Sequence, residues 1–511
     1  MAIITGTSGN DTLNALNPGD ILKGLAGNDV LNGTIGNEKL DGGTGADTMA
    51  GGIGNDFYDV DDPGDVVNDP DQAVINTWIS FNLSNVTGGA TDLTLNLRAD
   101  GITGTGSSGD DVIISYANNT IIIAGNGADV LKGGDGSIVR GGAGNDYLEI
   151  TGSSGDGSLI GGAGDDTYVV SSTTGSLFID EFSDGANGTD TIFATVDFSM
   201  NSQPGVTFSG GSRIENLTLA APGASSNLVA GPIFGQGNGL DNVIIGNRQD
   251  NILNGLAGND TIYGSMGDDT IDGGTGDDSL FGEIGNDTLI AGTGTDTLTG
   301  GVGDDTYSID SNDTVVELAA EGSDTVNVSG TWATSAEVEF INITGTSAAN
   351  ITLTNTVGTV VTGNGASNSL VGGIGADTLY GGAGIDNLTG GAGADTFAFG
   401  GVGLSATGST TTSIRRDIIV DFTAGDKIQL DKTNSFGSIV DVGPVLTDFF
   451  AGSFGGSNSG MDSRSERIVY NLDTGALYYN QNGSTSGAGA GGFFATLTGT
   501  PVLTAADFTI V

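Results

Sequence analysis

The stretch that decides the fold runs from Gly255 to Tyr307 and reads GLAGNDTIY, GSMGDDTID, GGTGDDSLF, GEIGNDTLI, AGTGTDTLT and GGVGDDTY. Its period is nine residues. One position of the period always holds an aspartate: Asp260, Asp269, Asp278, Asp287, Asp296 and Asp305. Two residues later stands an apolar side chain: Ile262, Ile271, Leu280, Leu289, Leu298 and Tyr307. A repeat of this kind predicts a solenoid in which each unit packs on its neighbours.

The residue types within one unit predict its local structure. Glycines at the first, second and fourth positions permit the positive φ of a tight turn and let backbone carbonyls crowd inward. The polar, aliphatic and polar residues after the aspartate have the period of a short strand that buries one side chain. Two units make one coil, and coils stacked about 4.8 Å apart bring their turns into register. The unit therefore predicts a right-handed parallel β-roll, also called a β-solenoid.

The same template recurs in three other places, so the roll is expected in several blocks. The first block carries Asp11, Asp29, Glu38, Asp47 and Asp56, the second carries Asp129, Asp146 and Asp166, and the fourth carries Asp377, Asp386 and Asp395. The second block is degenerate. Ile138 and Gly157 stand where an acidic residue is expected, and one step between its glycine pairs is eight residues.

Composition excludes several function classes. The 511 residues include 93 Gly, 63 acidic and 13 basic residues, with a formal net charge of -50 and neither Cys nor His. This charge repels nucleic acid and anionic membrane surfaces, so neither is expected as a partner. Disulfides, thiol chemistry and imidazole ligands are also excluded. Carboxylate and carbonyl oxygens remain, and hard cations such as calcium prefer them.

Charge also predicts how the chain folds. Neighbouring aspartates in a stacked column would repel by several kcal/mol at low effective dielectric, so the roll needs counter-ions. Roughly one divalent ion per unit would offset most of the formal charge. We therefore expect an expanded chain without calcium and a compact chain with many bound calcium ions.

Two simpler interpretations fit the pattern less well. A glycine-rich disordered linker would not phase its aliphatic residues with its glycines. An acidic surface of the halophilic kind would scatter its carboxylates, whereas here many fall at one position of the period.

The units GGTGDDSLF (273–281) and GGAGADTFA (390–398) resemble the signature of the RTX (repeats-in-toxin) family. The resemblance implies a calcium-loaded parallel β-roll and export through a type I secretion channel. It further implies calcium ligands from aspartate side chains and glycine carbonyls. The implied aspartates are Asp11, Asp29, Asp47, Asp56, Asp129, Asp146, Asp166, Asp241, Asp250, Asp260, Asp269, Asp278, Asp287, Asp296, Asp305, Asp377, Asp386 and Asp395. The implied glycines are Gly255, Gly258, Gly264, Gly267, Gly273, Gly274, Gly276, Gly282, Gly285, Gly373, Gly375, Gly382 and Gly384. Weaker or absent ions are expected where Glu38, Ile138 and Gly157 replace the aspartate.

The chain is predicted to contain eight segments. The stretches between the repeat blocks alternate like strands, as in Thr314–Glu317, which favours a continuing β-solenoid over flexible linkers. The RTX blocks are predicted at 1–58, 105–168 (degenerate), 236–307 (regular) and 363–400. The β-rich spacers are predicted at 59–104, 169–235 and 308–362, and a C-terminal capping and secretion region at 401–511.

The C-terminal region has a different composition. Ten of the 20 Phe fall between Phe397 and Phe508, enough for an apolar core that caps the solenoid. Four short motifs resemble the C-terminal region of serralysin-type secreted RTX proteins: DIIVDF (417–422), GDKI (425–428), LYYN (477–480) and LTAADFTIV (503–511). The last motif, 503–511, looks like an uncleaved type I secretion signal. The N-terminus lacks the basic and apolar regions of a Sec signal, so export is expected to use this route.

Catalytic motifs are missing from the sequence. No His-Glu-x-x-His helix and no Gly-x-Ser-x-Gly elbow with a histidine base is present, so the activities of RTX proteases and lipases are excluded. The word Asp-Thr-Gly occurs at 473–475, but an aspartic protease needs two such loops. We interpret it as a hairpin turn.

These features predict a non-enzymatic, secreted calcium-binding protein that self-associates into a cell-surface layer, extracellular filament or matrix. The main alternative is an adhesin or carbohydrate-binding protein that recognises a surface polysaccharide. A more distant alternative is an enzyme of the polysaccharide epimerase or lyase kind.

Overall fold

A computed structural model shows an all-β protein. The described residues are 1–89, 92–172, 174–181, 188–201, 206–208, 213–219, 234–400, 416–431, 436, 446–458, 460–461, 464–480 and 492–511. Two short 3-10 turns, Leu83–Asn85 and Ala505–Asp507, are the helical elements of this described part. The chain forms two compact units, Met1–Gly258 and Asn259–Val511, and their boundary falls inside the predicted block 236–307.

One face of the first unit is a continuous parallel sheet. Strand partners are usually about one coil apart; Ile3, for example, pairs with Ile21, two nonapeptides later. In spatial order the sheet contains β1 (Ile3–Thr5), β3 (Ile21–Ala26), β5 (Lys39–Thr44), β7 (Asn55–Val60), β9 (Gln72–Thr77), β11 (Asp92–Leu97), β13 (Asp111–Ser115), β15 (Val130–Gly133), β17 (Tyr147–Ile150), β19 (Thr167–Val170), β21 (Thr191–Ala194), β24 (Asn216–Leu219) and β26 (Val243–Ile245).

The other face of the first unit consists of three parallel sheets. The first is β2 (Thr12–Asn14), β4 (Val30–Asn32), β6 (Thr48–Ala50) and β8 (Val66–Asn68). The second is β10 (Phe81–Asn82), β12 (Thr103–Thr105), β14 (Ile121–Asn126), β16 (Ser137–Ala143), β18 (Gly157–Ala163), β20 (Leu177–Asp180) and β23 (Val206–Phe208). The third is β22 (Phe198–Ser199), β25 (Phe234–Gln236) and β27 (Ile252–Ala257).

The second unit repeats this arrangement. One parallel series is β28 (Thr261–Met266), β30 (Ser279–Ile284), β32 (Thr297–Val302) and β34 (Thr314–Val316). A second is β29 (Thr270–Thr275), β31 (Thr288–Thr293), β33 (Thr306–Ile309), β35 (Thr325–Val328), β37 (Phe340–Ile343), β39 (Val360–Thr362), β41 (Thr378–Tyr380), β43 (Thr396–Phe399), β45 (Lys427–Leu430) and β50 (Phe508–Ile510). A third is β36 (Trp332–Thr334), β38 (Asn350–Leu353), β40 (Ser369–Val371), β42 (Asn387–Thr389), β44 (Asp417–Ile419) and β49 (Gly492–Leu497).

The core is a stack of inward side chains, one from each nonapeptide. All six apolar residues of the regular repeat are fully buried: Ile262, Ile271, Leu280, Leu289, Leu298 and Tyr307. Ile262 pairs with Leu280, and Leu280 with Leu298, so like positions lie above one another. Burying one such side chain contributes roughly 1.5–3 kcal/mol.

The glycine of the turn is required by close approach of the neighbouring coil. Gly294 has φ of 151°, and a Cβ placed on it would lie 2.6 Å from the carbonyl carbon of Gly276. A side chain there would collide with backbone, which cannot move aside without separating the coils.

The spacers continue the solenoid. Phe340–Ile343 pairs in parallel with Thr325–Val328 on one side and with Val360–Thr362 on the other. With the parallel blocks and the cap described next, this confirms the predicted fold class of an all-β parallel solenoid with β-rich spacers and a C-terminal capping region.

At the C-terminus the parallel pattern gives way to antiparallel pairing. The strands β46 (Phe449–Gly452), β47 (Ile468–Asn471) and β48 (Ala476–Tyr479) extend the sheet from β49, and β48 is antiparallel to both β47 and β49. Met461, Val469, Ala476 and Tyr478 form a buried cluster in this cap. The predicted hairpin turn at 473–475 is confirmed, since it joins β47 to β48. Parts of the predicted segments 169–235 and 401–511 lie outside the described residues.

Candidate calcium sites

The repeat aspartates form two columns in the regular block. In one column the backbone N–H of each aspartate donates to Oδ1 of the aspartate one coil later, at 2.8 Å from Asp260 to Asp278 and 2.7 Å from Asp278 to Asp296. Asp269 and Asp287 make the same bond at 2.7 Å in the other column. The turns therefore hold each carboxylate in one orientation.

The second carboxylate oxygen, Oδ2, is the one available to a cation. Asp296 and Asp305 are 1% exposed, yet their Oδ2 atoms have no hydrogen-bond partner among the described residues. The same holds for Oδ2 of Asp29, Asp47, Asp56, Asp129, Asp146, Asp166 and Asp395. Burying an ionised carboxylate without a partner is costly, so these positions fit a bound cation.

Backbone carbonyls converge on the same places. A Cβ placed on Gly273 would lie 3.0 Å from Asp278 Cβ and 2.7 Å from the carbonyl oxygen of Ala291 in the next coil. One on Gly282 would lie 2.8 Å from both Asp287 Cγ and the Gly300 carbonyl oxygen. The turn thus brings together carboxylate and carbonyl oxygens, the donor set that calcium prefers.

The predicted glycine positions take two roles in these turns. Those with positive φ shape the turn: Gly258, Gly267, Gly274, Gly276, Gly285, Gly382 and Gly384. Those at which a Cβ would collide with oxygens of a facing side chain or neighbouring coil are Gly264, Gly273, Gly282, Gly373 and Gly375. The Gly255 carbonyl faces Gly237.

Burial changes the acidity of the columns. Desolvation raises the pKa of Asp305 to about 7, and the charges of Asp287 and Asp324 add to the effect, against the lowering by the Asp287 N–H. Desolvation likewise raises the pKa of Asp296 to about 7, with a further contribution from the charge of Asp313. Without a cation these carboxyl groups hold protons near neutral pH, so a cation competes with protons there.

The first and fourth blocks have the same columns. The backbone N–H of Asp29 donates to Oδ1 of Asp47 at 2.6 Å, and that of Asp377 donates to Oδ1 of Asp395 at 2.9 Å. The backbone N–H of Asp11 donates to Oδ1 of Asp29, and that of Asp386 donates to Oδ1 of Asp417 at 3.0 Å. Glu38 is fully buried and its backbone N–H donates to Oδ1 of Asp56, so Glu38 occupies the position of an aspartate in its column.

The columns also include carboxylates that the nine-residue period did not find. Asp296 is followed in its column by Asp313, and Asp305 by Asp324. The steps of 17 and 19 residues break the period of 18. Further members are Asp20, Asp65, Asp111, Asp190, Asp417 and Asp426. The sequence signal that could have identified these aspartates is the motif Asp-Thr-aliphatic, as in Asp324-Thr325-Val326, which repeats without a fixed spacing.

The degenerate block keeps one column and loses the other. Asp111, Asp129, Asp146, Asp166 and Asp190 are linked in sequence by the same N–H to carboxylate bonds. In the other column the hydroxyl groups of Thr120 and Ser137 lie 2.8 Å apart, and Gly157 follows in register. The eight-residue step shifts the column position from Ile138 to Ser137.

Two predicted ligands lie outside the columns. Asp241 and Asp250 are exposed, whereas the next residues, Asn242 and Asn251, are each 1% exposed. Asn242 and Asn251 are nine residues apart, and Asn251 is nine residues before Asp260. The aspartates are one residue out of phase, so we correct this prediction: the buried position holds an amide at both units.

The calcium-binding RTX nonapeptide repeat, described as four copies, matches seven segments of the chain: residues 5–37, 32–62, 105–137, 115–148, 236–271, 272–307 and 362–401. The chain carries RTX repeats. RTX nonapeptides bind calcium ions at multiple sites, and the buried oxygens described above are of the kind that calcium prefers. The RTX segments imply a calcium-binding extracellular protein. No curated protein matches the chain significantly.

No helix in the described part of the chain has the length and apolar character required to cross a membrane.

Proposed function

We propose that this protein is a secreted structural protein that folds when calcium fills its carboxylate columns and then assembles into a cell-surface layer, extracellular filament or matrix. The observation that carries the proposal is the stack of buried carboxylates whose second oxygens have no partner in the described chain. Adjacent like charges about 4.8 Å apart repel by roughly 3–4 kcal/mol at an effective dielectric constant of about 20. Low calcium inside the cell therefore keeps the chain unfolded, and higher calcium outside folds it.

Export by a type I channel belongs to the same proposal. The supporting feature is the C-terminal strand Phe508–Ile510, which pairs with Lys427–Leu430 and buries Phe508. A signal at this position is accessible only before the chain folds. Folding that waits for external calcium leaves it accessible during export.

Assembly is supported by apolar side chains that line up on the outside of the regular block. Met266, Ile284 and Val302 occupy equivalent positions in successive coils and are 42%, 50% and 56% exposed. A contiguous apolar stripe of this kind is typical of a protein–protein contact. The proposal includes no catalytic role, and Asp473 of the Asp-Thr-Gly word serves the cap by accepting bonds from Ser453 Oγ and the Phe454 N–H.

Electron microscopy of the purified protein tests the assembly. We expect ordered sheets or fibres in millimolar calcium that disappear in chelator and return when calcium is restored. The variant Ile284→Ser should form fewer of them, while Ile374→Ser, at a similarly exposed position outside the stripe, serves as the control. Monomers that persist in calcium would contradict the assembly and leave calcium-driven folding untouched.

The ligand assignment is a second part of the proposal. We assign the column aspartates, with the glycine carbonyls of their turns, as the calcium ligands. Replacing Asp296 by Asn keeps an oxygen for the Asp278 N–H but removes the charge, and we expect the calcium midpoint of folding to rise about tenfold. The control is Asp241→Asn, an exposed residue outside the column. Circular dichroism during a calcium titration measures both, and equal midpoints would contradict the assignment.

A carbohydrate-binding adhesin is the second candidate. One observation favours it: the half-buried rings of Tyr263 and Phe281, in neighbouring coils, stack with centroids 4.9 Å apart. Stacked aromatic rings offer an apolar surface for a sugar ring. Binding to a glycan array that is lost in Tyr263→Ala would support this function.

The eight segment boundaries given by the sequence are also retained as a proposal. Limited proteolysis in calcium tests them, because cleavage should concentrate in the spacers 59–104, 169–235 and 308–362 and in the region 401–511.

A further inference from the structure

A group of three buried carboxylates lies where the regular block ends. Oxygens of Asp305, Glu317 and Asp324 lie within 4.8 Å of one another. Asp305 and Asp324 are column members, whereas Glu317 comes from the spacer, directly after the strand Thr314–Val316. Glu317 is 5% exposed. The group therefore joins the last repeat coil to the first coil of the spacer.

Glu317 is held in place by the tyrosine that ends the repeat. The hydroxyl of Tyr307 donates to Glu317 Oε1, and Tyr307 is fully buried. Glu317 Oε2 and Asp305 Oδ2 are buried and have no hydrogen-bond partner among the described residues. No described lysine or arginine pairs with this group. An ionised carboxylate that is buried close to two others, with an oxygen that accepts no hydrogen bond, is stabilised by a bound cation.

A second group repeats the arrangement at the end of the degenerate block. Oxygens of Asp166, Glu181 and Asp190 lie within 4.8 Å of one another, and all three residues are buried. Both carboxylate oxygens of Glu181 lack a hydrogen-bond partner in the described chain. Glu181 directly follows the strand Leu177–Asp180, outside the repeat, as Glu317 does. The same order of residues thus occurs at two block ends: an Asp-x-Tyr motif ends the block, and a glutamate and then an aspartate follow in the spacer.

The first block shows what happens when the third carboxylate is missing. Tyr58 ends that block and donates to Asp69 Oδ2 at 2.9 Å. The column position after Asp56, however, is Ala73. Both carboxylate oxygens of Asp69 therefore accept hydrogen bonds, from the Tyr58 hydroxyl and the Asp71 N–H, and no group of three carboxylates like the other two is found here among the described residues. This end of a block is an internal comparison for the other two.

We propose that Asp166, Glu181 and Asp190, and likewise Asp305, Glu317 and Asp324, form block-end metal sites for a hard divalent cation, calcium, which share column aspartates with the nonapeptide turns but add a carboxylate from outside the columns. The turn sites take carboxylates from one column and carbonyls from glycine turns. Each block-end site instead takes a glutamate from a spacer, so its ion fastens the spacer coil onto the repeat. This role is independent of assembly into a layer or filament.

Counting bound calcium in the full-length protein tests the proposal. We expect the double variant Glu181→Gln and Glu317→Gln to bind two fewer ions at saturation than the unmodified protein, and each single variant one fewer. The control is Glu283→Gln, an exposed glutamate of the regular block. Equilibrium dialysis with metal analysis gives the number, and a double variant that folds and binds the same number as the control overturns the proposal.

A luminescence measurement applies even where the glutamine variants do not fold. Terbium replaces calcium in oxygen sites and emits when a nearby tyrosine is excited. We expect the double variant Tyr168→Phe and Tyr307→Phe, which retains every carboxylate, to lose a large part of this emission. Tyr263→Phe is the control, because Tyr263 lies on the outer side of its strand against Phe281. Emission from the double variant equal to that of the control overturns the proposal.

Discussion

The regular and degenerate blocks have the same coil geometry but different electrostatics. In the regular block both columns are lined with carboxylates, whereas the degenerate block has carboxylates in one column and the hydroxyl pair Thr120 and Ser137 in the other. Both bury one apolar side chain per strand: Leu280 in the former, for example, and Val139 in the latter. The comparison teaches that glycine turns and apolar stacking define the coil, while the carboxylates determine how strongly the coil depends on ions.

The largest expected effect is a different response of the two blocks to chelation. At limiting free calcium, residues 260–307 should lose their amide protection before residues 121–163, because two charged columns repel more strongly than one. Hydrogen exchange with mass spectrometry during a calcium titration measures both in one sample. Identical calcium dependence in the two ranges would show that the charges of the columns do not decide stability.

Acid should partly replace calcium in both blocks, because burial also raises the pKa of Asp129 and Asp166 in the degenerate block to about 7. Burial raises the pKa of Asp296 and Asp305 to about 7 from 3.8, so folding favours their protonated forms. Their contribution to stability in chelator is therefore complete below about pH 4 and is lost as the pH rises through about 7. Circular dichroism in chelator should show β-structure returning on acidification. A calcium-free chain whose β-structure declines as the pH falls from 7 to 4 would contradict this sign.

Glycine substitutions should affect both blocks equally, since the coil is common to them. Gly294→Ala and Gly162→Ala each place a Cβ at positive φ and against a carbonyl of the preceding coil. We expect each to lower the local free energy of opening by roughly 2 kcal/mol in saturating calcium. Gly239→Ala is the control, because a Cβ there meets nothing within 4 Å. Hydrogen exchange reports the local value, and a loss in only one block would mean that the coils differ.

The smallest effect is expected from restoring a carboxylate to the degenerate block. Ser137→Asp places an acidic side chain at the column position, beside Thr120 and in register with Gly157. Protection of residues 121–163 should then depend more steeply on calcium, because the new charge must be neutralised. Ser137→Asn has nearly the same shape without the charge. If the two variants respond alike, the hydroxyl column was not a lost ion site.

Most of the regular columns could be predicted from the sequence because their spacing is constant. Asp260 to Asp305 recur every nine residues, and a constant period maps directly onto stacked coils. Asp241 and Asp250 were predicted wrongly because each lies one residue before the position that the nine-residue period gives to the aspartate. A shift of one residue moves a side chain to the opposite face of a strand. Ile138 was misplaced for the same reason, since it lies within the eight-residue step between the glycine pairs 133–134 and 141–142.

Members such as Asp313 and Asp426 could not be placed by counting. Asp426 follows Asp395 in its column although 31 residues separate them. Only hydrogen bonding between neighbouring coils reveals the match.

The sequence by itself determined the β-solenoid, the calcium chemistry and the apolar stack, because all three follow from a local nine-residue pattern that repeats. Only the tertiary structure decided which residues complete the columns beyond the repeats, and that Glu181 and Glu317 join them. These glutamates belong to spacers with no period, so nothing in their local sequence identifies them as partners of Asp166 and Asp305. Their meeting depends on how the chain returns to the coil, which is a property of long-range strand pairing.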